Sequence, residues 1–253
     1  MRTLKITIAY DGTDYAGWQF QPDRPTVQQT LEAALATVTR EQIRVLASGR
    51  TDAGVHALAQ VVGFQTDSTL PLDVLRRALN ANLPEDIAVL QVEEAPDGFH
   101  AISHVVRKRY RYVIHDGPVR DVFGRRYTWH YVHGRLDAEA MQRAAVSLLG
   151  THDFRSFETS GAERATSVRT VFAISVERGR AGGLADLEDH ITIEVEADGF
   201  LYNMVRAIVG TLVEVGRGRR PVEWPGDVLQ AMNRRAAGPT APPQGLSLLR
   251  VEY

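Results

Sequence analysis

Asp52 is the residue on which a chemical reading of this sequence turns. It lies in "SGRTDAGVHA", residues 48 to 57, a Gly-Arg-Thr-Asp-Ala-Gly turn between two apolar runs, with Arg50 two positions before it. A carboxylate in such a turn can accept hydrogen bonds from nearby backbone N–H groups. It can also serve as an ionised nucleophile. The turn alone leaves both uses open. A second candidate is Arg206, the one cation within the apolar run "FLYNMVRAIVGTLVEV", residues 200 to 215. Burying an arginine is costly unless it is paired, so Arg206 is expected to face a carboxylate. Asp52 is an attractive partner, because a neighbouring positive charge keeps a carboxylate ionised. A structural salt bridge or a snorkelling side chain would explain Arg206 equally well.

Basic residues cluster in two places, although the net charge of −2 argues against a uniformly basic chain. Residues 107 to 126 carry seven Lys or Arg against Asp116 and Asp121, and "GRGRR", residues 216 to 220, adds Arg217, Arg219 and Arg220 with no acid. Clustered cations are the footprint of phosphate binding. Tyr110, Tyr112 and Tyr127 are interleaved with Arg107, Lys108 and Arg109 and their neighbours, and aromatics beside cations suit base stacking. Solvated charge on a strand edge and loops is the ordinary alternative.

Several chemistries are disfavoured. There is no cysteine, which removes disulfides, thiolate zinc sites and thiol nucleophiles. His100 and His104 have i, i+4 spacing but lack the HExxH glutamate and a nearby third ligand, so no metal is expected. No Walker loop, GxGxxG fingerprint or GxSxG elbow is present. No apolar leader or membrane-length run appears, and a cytoplasmic protein is expected.

The elements that must position these groups can be read from periodicity. "TLKITIA" alternates as a strand. "TVQQTLEAALATVTR" is a helix with Thr26 and Gln29 at capping-box spacing. "IRVLAS" and "VHALAQVVGFQT" read as strands flanking the 49-to-54 turn, "PLDVLRRALNANL" as a helix and "DIAVLQVEE" as a strand. The order is β-α-β-β-α-β. The second half repeats it: strand "RYRYVIH", a helix from the Asp137 cap to Gly150, strands "VRTVFAISVER" and "DHITIEVEA" joined by a flexible "GRAGGLADLE", an apolar helix, a short helix after Pro225, and strand "LSLLRVEY". This predicts an α+β protein of two ferredoxin-like, split-βαβ halves, residues 1–105 and 106–253, forming a central mainly antiparallel sheet with helices on one face.

The motif "GRTDAGVHA" resembles the catalytic turn of the tRNA pseudouridine synthase A family. "YDGTDYAGWQFQ", "TVQQTLEAAL", "NANLPEDIAV", "KRYRYVI", "LLGTHDFRSF", "FLYNMVRAIVGTLVEVG" and "TAPPQGLSLLRVEY" resemble further family segments, in the family's order and along nearly the whole chain. One departure is Ile102, where many members carry Arg after "FHA". Any RNA contact made there in relatives is either missing here or comes from Arg107 or Lys108.

The resemblance implies a pseudouridine synthase fold and an isomerase that converts uridine to pseudouridine at positions 38, 39 and 40 of the tRNA anticodon stem-loop. It implies no cofactor or metal, and a homodimer with tRNA crossing both subunits. Carried onto this chain, Asp52 is the nucleophile, and Tyr110 stacks on the uracil and helps remove the C5 proton. Arg206 pairs with Asp52, and Arg50 contacts RNA where the flipped base leaves a gap. Arg107, Lys108, Arg109, Arg217, Arg219 and Arg220 hold phosphates. The alternative is a non-catalytic RNA-binding protein of two RRM-like halves, although no RNP1-like stretch supports it. A nucleoside hydrolase would need a second carboxylate in an equally distinctive setting, and none stands out.

Overall fold

The computed structural model describes residues 1–159, 166–179 and 187–253. The link expected to be flexible, residues 179 to 188, falls mostly outside them. The described chain forms two compact units, Met1–Val106 with Ser247–Tyr253, and Arg107–Leu246.

In the first unit, β1 (Arg2–Tyr10) pairs antiparallel with both β3 (His56–Thr66) and β4 (Ile87–Glu94). The alternation read in the sequence is the burial pattern of β1: Leu4, Ile6, Ile8 and Tyr10 face the core. Helices α1 (Val27–Thr39) and α2 (Leu72–Asn82) pack together, with Leu31, Leu35, Leu75 and Leu79 fully buried. Thr26 caps α1 by accepting the Gln29 N–H.

Two expectations are corrected here. Of "IRVLAS", only β2 (Leu46–Ala47) is strand, paired to Val62 and Gly63. The Val45 N–H is taken by the Glu32 carboxylate of α1, which stops the ladder from extending. The last strand, β10 (Leu246–Glu252), groups with the first unit and not with the second half. Ser247 and Leu248 pair in parallel with His56 and Ala57, and the Tyr253 ring packs on Phe99.

In the second unit the sheet order is β5 (Arg107–His115), β9 (His190–Ala197), β8 (Val168–Arg178), β7 (Gly150–Asp153), all antiparallel, with the two-residue β6 (Trp129–His130) beside β5. β6 and β7 have too few residues to show a period, and the sequence reading missed both. α3 (Ala138–Ala145) starts at the predicted Asp137 cap but ends earlier than Gly150, in a 3-10 turn. It packs on β8 and on α4 (Met204–Gly216), which is buried almost all round. A short α5 (Trp224–Ala231) follows.

Candidate active site

The Asp52 turn is held from below by buried polar side chains of its own unit. Gln60 of β3 has no solvent exposure. Its Oε1 accepts the Ser48 hydroxyl at 2.6 Å, and its Nε2 donates to the Gly49 carbonyl at 2.8 Å. Thr51, immediately before the carboxylate, is fixed at two atoms. Its Oγ1 lies 2.8 Å from the buried Tyr10 hydroxyl, and its carbonyl accepts the Trp18 N–H at 3.0 Å. Burial pushes the Tyr10 phenol up to about 12, against the smaller downward pull of its bonds to Thr51 and Gln60, so it remains a neutral hydroxyl. The Val55 N–H closes the turn onto the Asp52 carbonyl at 3.1 Å.

The N-terminal loop braces the other side. Gly17 takes φ +97°, and a Cβ there would stand 2.7 Å from the Thr51 carbonyl oxygen, so glycine is what lets this loop lie against the turn. The Gly12 N–H donates to His56 Nδ1 at 3.0 Å, and Asp11 Oδ1 lies 3.1 Å from the same nitrogen. Asp52 itself is half-buried, whereas Arg50 is exposed, its guanidinium without a hydrogen bond or ion pair among the described residues. The arrangement presents a carboxylate at a fixed point, with an exposed cation two residues away.

In the second unit, Tyr110 lies on β5 with 8% exposure, and its ring meets Phe200 edge-on at 5.0 Å. Arg206 is in the first turn of α4. Its Nη1 donates to Asn203 Oδ1 at 2.6 Å and its Nε to the Ala241 carbonyl at 2.7 Å. Asn203 takes the left-handed conformation, φ +61°, that ends the loop before the helix.

The basic segment resolves differently from its sequence. A strand alternates faces, so Tyr110, Tyr112 and Ile114 turn to the core while Arg107, Arg109 and Arg111 share the opposite face. There the arginines meet Glu194 and Glu196 of β9. Arg107 and Arg109 pair with Glu196 at 3.3 and 2.9 Å, and Arg109 and Arg111 with Glu194 at 3.3 and 2.6 Å. Both carboxylates are buried, so these arginines are structural partners before they are phosphate contacts. Tyr112 is fully buried, and burial raises its phenol far above the ordinary tyrosine value. Interleaving in sequence is therefore separation in space. Lys108 falls on the face of Tyr110. Arg217 pairs with Glu214 at 3.2 Å, Arg219 is exposed, and the exposed Arg220 lies 4.8 Å over the Trp224 ring. His100 Nδ1 accepts the Ile102 and Ser103 N–H groups, and the His100 N–H points to His104 Nδ1, so this pair is engaged with its own backbone turn.

The sequence reading missed Tyr10, Thr51 and Gln60. The available signal was Gln60, an amide inside the buried run of β3. A buried polar side chain requires partners.

A family model described as tRNA pseudouridine synthase matches residues 6–102 and 144–253. The chain is 51% identical to tRNA pseudouridine synthase A of Moorella thermoacetica over 256 residues, 48% to that of Brevibacillus brevis over 253, and 44% to that of Thermoanaerobacter sp. (strain X514) over 253. Each alignment covers 100% of both chains.

Proposed function

The chain belongs to the tRNA pseudouridine synthase family, isomerases of uridines in tRNA, and we propose that its targets are positions 38, 39 and 40 of the anticodon stem-loop and that Asp52 is its nucleophile. The reaction breaks the N1–C1′ bond, turns the uracil and rejoins it to C1′ through C5. C5 loses a proton and N1 gains one, so atoms and electrons balance with no oxidant, reductant or energy carrier.

The observation that carries the reading is the pinning of Thr51 and Gly49 around a half-buried Asp52. A nucleophile that makes and breaks one covalent bond within a single turnover gains from being held at a fixed position in advance. Asp52 must attack as the carboxylate, and Arg206 is assigned the cation that keeps it ionised. Tyr110 is assigned the face on which the flipped uracil stacks. Extruding a base costs a few kcal/mol, and stacking returns about 1–3 kcal/mol. Arg50, exposed beside the turn, is assigned the gap left in the RNA stem. Lys108, Arg219 and Arg220 are assigned to phosphates, with Arg107, Arg109 and Arg217 contributing only the charge left over from their glutamate partners. A cytoplasmic homodimer with tRNA crossing both subunits completes the proposal, and light scattering of the purified protein tests the stoichiometry.

The test is tritium release from tRNA labelled at uracil C5. Wild type is expected to release tritium without added metal or nucleotide, and Asp52→Asn to release none while still binding tRNA. Equal release by both proteins would remove Asp52 from the reaction's centre. Binding without release by wild type would favour the RRM-like reading. Mapping the product positions by reverse-transcription stops checks 38, 39 and 40.

A further inference from the structure

The segment "GPTAPPQG", residues 238 to 245, takes no part in the chemistry above, yet it makes a dense set of directed contacts within the second unit. It pairs with Arg206 twice. The Ala241 N–H donates to the Arg206 carbonyl at 3.1 Å, and Arg206 Nε donates back to the Ala241 carbonyl at 2.7 Å. One turn further along α4, a Cβ at Gly210 would stand 1.7 Å from the Pro239 carbonyl oxygen, so only glycine lets the segment lie on the helix. Beside it, Thr211 Oγ1 accepts the Gly238 N–H at 3.0 Å.

Both ends of the segment are also tied. Upstream, Arg234 donates to the Gly238 carbonyl at 2.9 Å and to Thr240 Oγ1 at 2.8 Å. These neutral acceptors are its only polar partners among the described residues, and burial lowers its pKa. Downstream, the fully buried Tyr112 donates its hydroxyl to the Pro242 carbonyl at 2.7 Å. Three prolines, at 239, 242 and 243, restrict the backbone between these points. A connection needed only to reach β10 would require none of this.

We propose that residues 238–242 form a strap that fixes the Arg206 guanidinium through the Ala241 carbonyl, and that Arg234 and Tyr112 are positioning residues acting through that strap. The inference rests on the role assigned to Arg206 above. It adds that the guanidinium, held at Nη1 by the Asn203 cap of its own helix, is also fixed at Nε from outside that helix. Because Tyr112 is two residues from Tyr110 on the same strand, the strap also ties the helix of Arg206 to the strand of Tyr110.

The test uses the full chain with Arg234→Met, which removes both upstream bonds, and Arg234→Lys, which keeps a cationic donor. Two readouts are taken: the 15N–1H resonance of Arg206 Nε, assigned by its loss in Arg206→Lys, and the kcat and KM for tRNA from tritium release. The strap predicts a protected Nε resonance in wild type that broadens in Arg234→Met. It predicts kcat reduced about 10-fold at unchanged KM, with partial rescue in Arg234→Lys. In the Arg206→Lys background, Arg234→Met should cost less than twofold more. An unchanged resonance with unchanged kcat would overturn the proposal. So would the same loss in both backgrounds, or a raised KM at normal kcat, which would place Arg234 on RNA. Should Arg234→Met not fold, Tyr112→Phe loosens the strap at its other end and is judged by the same criteria. Full activity in Arg206→Lys would sink the role given to Arg206, and the Nε resonance would then decide the strap by itself.

Discussion

Gln60→Leu is the substitution that most directly tests how the Asp52 turn is held. The amide is fully buried and satisfies two groups, the Ser48 hydroxyl and the Gly49 carbonyl. Leucine fills a similar volume but gives up both bonds, taking the donor from the Gly49 carbonyl and one of its partners from Ser48. A buried polar group stripped of its partner costs about 1–3 kcal/mol, and the apolar gain of leucine offsets about 1 kcal/mol of the pair. For the two groups together the net loss is then about 1–5 kcal/mol. At roughly 2–4 °C per kcal/mol for a chain of this size, Tm falls by about 2–20 °C and the protein still folds.

Activity is the sharper readout. With Gly49 released on one side of Asp52 and Tyr10 left with one fewer neighbour, we expect kcat to fall at least tenfold at 20 °C below the new Tm, with tRNA affinity unchanged. Ser48→Ala removes only the donor side and should cost about 1 kcal/mol. Combined with Gln60→Leu it should add less than it costs alone, because the two share one bond while Ser48 also meets the Tyr253 hydroxyl. Urea unfolding gives the stabilities, and single-turnover tritium release gives the rate. Wild-type kcat in a Gln60→Leu protein of lowered Tm would refute the reasoning, since the turn would then hold its geometry without this anchor.

The arginine face of β5 predicts a division among the basic residues. Arg109→Met should destabilise by about 2 kcal/mol, intermediate between exposed and buried pairs, with little change in the salt dependence of tRNA binding. Arg219→Ala should leave stability within about 0.5 kcal/mol and reduce the slope of log affinity against log salt by about 1; the reverse pattern would make the ladder the RNA contact. In acid, the bond from Arg155 holds Asp153 down at about 2. Burial pushes Asp116 upward, but its bonds to Arg178 and to the Leu136 N–H outweigh that and leave it below its ordinary value. Both carboxyls therefore contribute stability above their unfolded pKa, near 3.8, and lose it as pH falls through the folded value. Urea midpoints should drop between pH 4 and pH 2, and less steeply in Asp153→Asn; an equal drop in that variant would show that the pair contributes nothing.

Local chemistry was legible in the sequence wherever one residue type at one spacing sufficed. The Thr26 and Asp137 caps, the alternation of β1, the apolar run of α4 and the Asp52 turn were all identified, because periodicity and capping depend on near neighbours. The family followed from motifs spread along the whole chain. The structure decided what depends on distant pairing. Gln60 became an anchor because Ser48 and Gly49, eleven or twelve residues away, fold back onto it. The arginines of β5 became structural because a strand more than eighty residues later places Glu194 and Glu196 opposite them. β10 belongs to the first unit, where Ser247 and Leu248 pair with His56 and Ala57, more than 180 residues earlier in the chain. The Pro-rich segment acquired a role only when α4 came to lie beneath it. Hydrogen-bond partners far apart in the chain leave no period in either segment, so the sequence determined which groups were available and the tertiary structure determined what they hold.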